Sequence, residues 1–179
     1  AGTRRPRRRS PPAWARASGG PGAAGPGARR VRISAGRQPP SPPVVALSAA
    51  QLAAFADQAA LLGLVTVTEN WQTTGEQPEA LLAILDQCAG RVGLCADTGN
   101  AEATTDKFAT LAQLLPRASS VHFKARYTPQ GEIDRDDLER CTQLVRQSGF
   151  NGVITLIYDR KTAEWAGVEQ LRRTLLPML

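Results

Sequence analysis

Short apolar runs alternate with amphipathic stretches from residue 31 to the end of the chain. Period-2 or continuous apolar runs predict strands, and apolar positions spaced by three and four residues predict helices. The predicted strands cover 31–35, 64–70, 91–97, 119–124 and 152–158. The predicted helices cover 48–63, 78–88, 104–115, 134–150 and 167–179. Because the strands are apolar enough to be covered on both faces, this alternation predicts an α/β fold built on a parallel sheet of about five strands.

Several residue types at the ends of the predicted helices support these boundaries. Ser48 is an N-cap candidate for the first helix, and Gly63 suits the position just after its end. Pro78 stands where a first helical turn accepts proline. The helix predicted over 134–150 has acidic residues in its first turn and Gly149 near its end, which complements the helix dipole.

The basic character of the chain is confined to its N-terminal segment. Residues 1–38 contain ten arginines and no acidic residue, so the rest of the chain carries a net charge of −4 although the whole carries +6. Residues 1–30 are rich in Arg, Pro, Gly and Ala and are predicted to be a disordered tail, because they offer little apolar surface to bury. This tail is either an artefact of gene prediction or truncation, or an arm that contacts phosphates. Nucleic-acid binding is therefore expected only through the tail.

Cysteine usage and hydropathy narrow the protein class further. Cys88, Cys95 and Cys141 form no CxxC pair, are odd in number and fall within predicted helices or a strand, which argues against a disulfide framework and fits a cytoplasmic protein. The sequence contains no run of about 18 apolar residues, so we expect no membrane span. The arginine-rich start lacks the apolar segment of a secretory signal.

Three residues near the carboxyl ends of successive predicted strands are candidates for a metal site. Glu69, Asp97 and His122 lie 28 and 25 residues apart, close to the length of one βαβ unit of about 30 residues. In a parallel barrel these strand ends converge on one rim, where catalytic groups collect. Two carboxylates and an imidazole suit Mn²⁺, Co²⁺, Mg²⁺ or Zn²⁺.

Each candidate also has a purely structural interpretation. Glu69 with Asn70 could cap the next segment, Asp97 could stabilise a turn, and His122 could be a hydrogen-bonded core histidine. The repeating spacing, and the fact that His122 is the single histidine of the chain, favour a site over three separate structural roles.

The motifs VTVTENW, VGLCADTGN and VHFKAR, flanked by VRISAGR and GFNGVITLIYD, resemble strands four to eight of the sugar phosphate isomerase/epimerase family of xylose isomerase-like barrels. The resemblance covers residues 31–179 and implies a partial (β/α) TIM-type barrel domain. It also implies that Glu69, Asp97 and His122 bind a divalent metal ion, with Glu69 serving as a catalytic residue as well. Lys124, two residues beyond His122, should face the same site.

The chain departs from the family pattern in two respects. The last strand of the family carries a Glu that is the fourth ligand and part of the proton-transfer pair, whereas Ile157 occupies that position here. Asp159, two residues further on, is a displaced substitute. Strands one to three of the barrel are also missing, which leaves an open edge that could pair with another chain and form a homo-oligomer.

The resemblance implies a metal-dependent isomerase, epimerase or related lyase that acts on a sugar or polyol by proton transfer next to a carbonyl. Ile157 and the missing strands favour an alternative, an inactive barrel fragment or pseudoenzyme. A third alternative is an endonuclease-type relative that binds DNA. That class uses a histidine-rich metal cluster, which one histidine cannot supply.

Overall fold

The computed structural model describes residues 29–161 and 163–179. The tail predicted over residues 1–30 lies outside the described residues except for Arg29 and Arg30. Five parallel strands form one sheet in chain order, β1-β2-β3-β4-β5, and the sheet curls through 209°. The strands are β1 (Arg30–Arg32), β2 (Val65–Glu69), β3 (Val92–Asp97), β4 (Ala118–Lys124) and β5 (Val153–Ile157). The predicted α/β partial barrel is therefore confirmed.

Helices connect these strands and cover one side of the sheet. They are α1 (Pro42–Leu61), α2 (Gln72–Gly75), α3 (Pro78–Gln87), α4 (Lys107–Leu114), α5 (Arg135–Gln147) and α6 (Glu164–Leu175). Short 3₁₀ turns cover Asn100–Ala103, Leu115–Arg117 and Leu176–Met178. The short helix α2 was not predicted, since four residues are too few to show a period of 3.6.

Helix α1 begins earlier than the sequence predicted. The predicted start at Ser48 is wrong, because the cap is Ser41, whose hydroxyl accepts a hydrogen bond from the Val44 N–H at 3.5 Å. Pro42 and Pro43 occupy the first turn, where their missing N–H groups cost nothing, so a segment interpreted as a proline-rich loop is helical. The predicted end is confirmed, since Gly63 follows the cap residue with a φ of 71°.

Three further boundaries differ by a few residues. Strand β1 begins at Arg30 and is shorter than predicted, although the Ile33 N–H still donates to the Val67 carbonyl at 2.9 Å. Helix α4 begins after Asp106, whose carboxylate caps two backbone N–H groups at 3.0 Å. Helix α6 begins at Glu164 rather than at residue 167.

The two faces of the sheet have different chemistry. Leu94, Ala96, Val121 and Phe123 alternate along β3 and β4 on the helix-facing side and belong to the hydrophobic core. The core is completed by helix residues such as those at Leu81, Ile84, Leu111, Leu138 and Leu171, all at 0% exposure. The residues between them in sequence point to the opposite, inner face of the curled sheet. That inner face carries the polar side chains discussed below.

Helix α1 has the length and composition of a membrane-spanning segment, with 20 residues and a mean hydropathy of 1.4. Its buried face consists mainly of alanines and Leu52, which belong to the same core as the helix-facing side of the sheet. This packing is that of a barrel helix on its strands, and a single helix of this kind is weak evidence for a membrane span. Leu61 and Leu62 at its end are 79% and 78% exposed.

A buried ion pair connects α4 to α5. Lys107 Nζ donates to both carboxylate oxygens of Asp137, at 2.9 and 2.7 Å, and also to Glu102 at 3.1 Å. Burial alone would lower the pKa of Lys107, but these hydrogen bonds outweigh it and hold the pKa above its ordinary value. The pair stabilises the fold only while both partners are present, because either charge alone would be buried without compensation.

We expect Lys107→Met to lower the free energy of unfolding by about 3 kcal/mol, because it leaves the Asp137 carboxylate buried without its ammonium partner. The double variant Lys107→Met/Asp137→Leu should recover much of this loss. Arg117→Ala removes an exposed pair with Asp86 and serves as the control, with an expected cost below about 1 kcal/mol. Denaturant unfolding of the three variants measures these differences. Equal losses in the single and double variants would contradict the argument.

Candidate metal centre

The strand register places the three predicted ligands side by side on the inner face. Glu69 is the last residue of β2 and is paired with Cys95 of β3, while Asp97, the last residue of β3, is paired with His122 of β4. Paired residues in adjacent parallel strands point to the same face of the sheet. The structure thus brings Glu69, Asp97 and His122 together at one end of the sheet.

A shift of register between β3 and β4 is required for this arrangement. Leu94 pairs with Ala118, but the next residue, Cys95, pairs with Ser120, so Ser119 is an extra residue in β4. The Ser119 hydroxyl donates to the Leu94 carbonyl at 3.0 Å at this point. Without the extra residue Asp97 would face Val121, and the imidazole would point to the helices, because a slip of one residue reverses every side chain.

The imidazole of His122 lies close to both carboxylates. His122 Nδ1 lies 3.2 Å from Glu69 Oε1 and 3.7 Å from Asp97 Oδ2. The carboxylate side chains are 3% and 0% exposed, and the imidazole is 20% exposed. The imidazole is therefore the most exposed of the three candidate ligands.

The two oxygens of Asp97 have different environments. Oδ1 accepts the backbone N–H groups of Gly99 and Asn100 at 2.9 and 2.8 Å, which fixes the carboxylate in the turn after β3. Oδ2 is buried and accepts no hydrogen bond, because His122 Nδ1 is too distant and Lys124 Nζ, at 3.3 Å, is poorly aligned. A buried oxygen without a hydrogen bond is costly unless it binds something else.

The surrounding charges keep Asp97 ionised. Burial alone would raise the pKa of this carboxyl group, but the His122 imidazole, the Asn100 N–H and the Lys124 ammonium together lower it below its ordinary value. Oδ2, which accepts no hydrogen bond, therefore belongs to an ionised carboxylate and is a ligand atom suited to a cation.

Asn70 fixes the ends of β2 and β3 to one another. Its side chain donates to the Asp97 carbonyl at 2.9 Å and accepts the Asp97 N–H at 2.7 Å, and it is 1% exposed. These two bonds extend the ladder beyond Glu69 and hold both carboxylate-bearing residues in place. The sequence predicted Asn70 only as a cap of the next segment.

Lys124 reaches the site over Gly99. Its ammonium group lies 3.1 Å from Asn100 Oδ1, 3.3 Å from Asp97 Oδ2 and 3.8 Å from Asp159 Oδ2. A Cβ atom at position 99 would lie 2.6 Å from Lys124 Cδ, so a glycine is needed for the lysine to pass. The predicted orientation of Lys124 toward the site agrees with these contacts.

Arg32 is a site residue that the sequence analysis missed. Its guanidinium donates to Glu69 Oε2, and Asn100 Nδ2 lies 3.3 Å from the other oxygen of Glu69. Arg32 is also placed 5.8 Å from the centre of the Trp71 ring. The available signal was a charged residue within the first predicted strand, VRISA, on the face that alternation assigns to the site.

Cys95 is a second residue that the sequence analysis did not place in the site. One ligand atom each from Glu69, Cys95 and His122 lies within 4.8 Å of the other two. Cys95 is 1% exposed and is paired with Glu69 on the inner face. Its position two residues before Asp97 on the same strand was the signal that could have identified it.

The position expected for the fourth ligand, a glutamate, faces the site but carries no donor group. Ile157 of β5 is paired with Lys124, and Thr155 of β5 is paired with His122. The side chains of Ile157 and Thr155 therefore lie on the inner face. Asp159, the displaced substitute, is directed at Lys124 and its side chain is 64% exposed. Within the described residues, β5 therefore adds an apolar group to the site.

The two carboxylates of the site have positive partners even without a metal ion. The pKa of His122 is raised to about 11, because Asp97, Cys95 and Glu69 all favour the charged imidazole and outweigh its burial. The imidazolium, Arg32 and Lys124 thus surround two buried carboxylates. A divalent cation fits these residues, because it would supply the missing partner of Asp97 Oδ2 and take the place of the imidazolium proton.

The chain is similar in fold to several solved structures. No protein-family model matches the sequence, and no curated protein matches it. An L-ribulose 3-epimerase structure matches with a TM-score of 0.64 at 15% identity, over 84% of this chain and 62% of that one. A xylose isomerase-like TIM barrel protein from Mycobacterium smegmatis in complex with magnesium matches with a TM-score of 0.63 at 15% identity, over 85% and 61%.

A D-allulose 3-epimerase from Methylomonas sp. matches with a TM-score of 0.59 at 20% identity, over 82% of this chain and 55% of that one. The chain thus spans less than two thirds of the length of each of these structures. At identities of 15% to 20%, these structural matches establish the fold alone. The chain has the fold of part of a xylose isomerase-like TIM barrel, and the expected resemblance in fold is confirmed.

We expect the imidazole of His122 to stay protonated, in the metal-free protein, through the interval around pH 6.5 in which an ordinary histidine titrates. Because the pKa is raised in the folded state, its contribution to stability is complete below pH 6.5 and disappears as the pH rises through about 11. NMR titration of the single histidine measures this directly. An ordinary transition near neutral pH would contradict the contacts described.

Proposed function

We propose that this chain is the C-terminal part of a divalent-metal-dependent isomerase or epimerase acting on a keto sugar or related polyol. The observation that carries the proposal is Asp97 Oδ2, a buried anionic oxygen without a hydrogen bond, within 4 Å of the His122 imidazole. Similar folds in solved structures belong to sugar epimerases, which supports the substrate class.

The proposed ligands are Glu69, Asp97 and His122. Carboxylate oxygens and an imidazole nitrogen suit Mn²⁺, Co²⁺, Mg²⁺ or Zn²⁺, and the magnesium complex of a similar fold agrees with this donor set. When bound, the cation would act as a Lewis acid on the carbonyl and the adjacent hydroxyl of the substrate. The proton next to the carbonyl becomes more acidic as a result.

The remaining residues would position the substrate and move its proton. Glu69 is the proposed base, because its carboxylate is buried in the site and Arg32 holds one of its oxygens in a fixed orientation. Lys124 would hold a substrate oxygen at the rim, since its ammonium group is directed over Asp97 and is 19% exposed. Asn100 orients both groups through its side-chain amide.

The described residues supply one base but no second one. Ile157 occupies the inner-face position on β5, and the carboxylate of Asp159 is paired with Lys124. A mechanism in which one carboxylate removes the substrate proton and a second returns it on the opposite side is therefore disfavoured. A reaction that uses one base fits these residues.

A second candidate function follows from the same observation. With an isoleucine on β5 and three ligands, the chain could be a barrel half that binds a cation but does not turn over a substrate. The two proposals share the metal site and differ in catalysis. We place the protein in the cytoplasm, in agreement with three free, buried cysteines, and propose a homo-oligomer as one way to cover the open edges of the sheet.

Calorimetric titration with Mn²⁺ tests the shared site. We expect His122→Ala to weaken binding by about 100-fold or more, because even changes in residues behind the ligands cost about 10–100-fold. Thr155→Ala is the matched control, since it is exposed on the same face beside His122 and should leave binding unchanged. Ile157→Glu should tighten binding by adding a third carboxylate as the fourth ligand.

Melting temperatures of the same variants separate a metal response from misfolding. If Ile157→Glu loses stability and gains no affinity, residue 157 does not face a cation. If the wild type binds no divalent cation, both candidate functions fail. Proton exchange of keto sugars with solvent, followed by NMR in the metal-loaded protein, then distinguishes the active candidate from the inactive one.

A further inference from the structure

Cys95 lies on the inner face of β3, directly opposite Glu69 in the register and two residues before Asp97. On the side of β4 it is paired with Ser120, and its side chain is buried. Its thiol is thus surrounded by the proposed ligands rather than by the hydrophobic core. The other two cysteines belong to that core.

The geometry allows one cation to bind the thiol together with Glu69 and His122. The donor atoms of Glu69, Cys95 and His122 all lie within 4.8 Å of one another. A tetrahedral zinc ion with bonds of about 2.3 Å to sulfur and about 2.0 Å to nitrogen holds these two atoms about 3.5 Å apart. Small side-chain rotations close the difference.

Asp97 Oδ2 provides an independent indication that a ligand belongs in this space. It is a carboxylate oxygen at 0% side-chain exposure that accepts no hydrogen bond, and it lies 3.7 Å from the same imidazole nitrogen. Among the residues that the structure describes, β5 offers no donor at this position, because Ile157 faces the site.

We propose that Cys95 is the fourth protein ligand, so that Glu69, Cys95, Asp97 and His122 form a site that prefers Zn²⁺ or Co²⁺ over Mg²⁺. This inference rests on the proposed metal site. A thiolate is a soft donor, which favours zinc and cobalt and offers little to magnesium. The thiol loses its proton when it binds the cation, and that proton passes to solvent.

The chain offers matched controls for this proposal. Cys88 Sγ contacts the Ala49 carbonyl at 3.6 Å, and Cys141 Sγ lies 3.9 Å from Asp137, so neither thiol lies at the strand ends that form the site. Burial raises the pKa of Cys141 to about 12, which keeps it a neutral thiol. The double variant Cys88→Ala/Cys141→Ala therefore leaves Cys95 as the one remaining thiol.

Absorption spectroscopy with Co²⁺ tests whether the thiol binds the cation. We expect an intense near-ultraviolet band from charge transfer between thiolate and Co²⁺ in the wild type and in Cys88→Ala/Cys141→Ala. Cys95→Ser should lose that band, and its Zn²⁺ affinity should fall about tenfold or more. Its Mg²⁺ affinity should change little, because magnesium gains little from sulfur.

The possible results separate this inference from the proposed function. Visible d–d bands without the charge-transfer band in the wild type would show a cobalt site without sulfur and overturn the role of Cys95 alone. Absence of any Co²⁺ or Zn²⁺ binding would overturn both. If Cys95→Ser does not fold, the spectrum of the double variant still decides, because only Cys95 could produce the band.

Discussion

The extra residue in β4 is the constraint on which the site depends. Ser119 shifts the register after Leu94, and only this shift directs His122 to the same face as Asp97. The Ser119 hydroxyl satisfies the Leu94 carbonyl at the irregular position. Asn70 performs the corresponding task between β2 and β3 through two hydrogen bonds to the Asp97 backbone. The metal site is therefore determined first by the pairing of three strands and only then by side-chain conformation.

The same geometry creates an electrostatic requirement. Two carboxylates at no more than 3% exposure lie within 4 Å of one imidazole, and each needs a positive partner. Arg32 is paired with Glu69, Lys124 is paired with Asp97, and the protonated imidazole lies close to both carboxylates. Asp97 Oδ2 nevertheless lacks a hydrogen bond. A divalent cation would bind that oxygen. The imidazole would lose its proton and bind the same cation through the nitrogen that becomes free.

The sequence predicted the parallel sheet and the position of Glu69, Asp97 and His122 at the ends of successive strands, because their spacing is close to the length of a βαβ unit. It did not predict the bulge at Ser119, since an inserted residue within an alternating strand leaves no local signal. Cys95 and Arg32 were missed for a related reason. Their partners lie 26 to 37 residues away in sequence, and only the register shows that Cys95 lies beside Glu69 and that Arg32 reaches it. The early start of α1 was missed because two prolines were interpreted as a loop.

The central claim is that Glu69, Asp97 and His122 share one cation at the carboxyl ends of β2, β3 and β4. Anomalous scattering from crystals of the full chain grown with Mn²⁺ or Co²⁺ tests this most directly, because it locates the ion without reference to activity. We expect a single strong peak at about 2.0–2.3 Å from an oxygen of each carboxylate and from the imidazole nitrogen. A peak elsewhere, or none beside an imidazole still hydrogen-bonded to Glu69, would contradict the account.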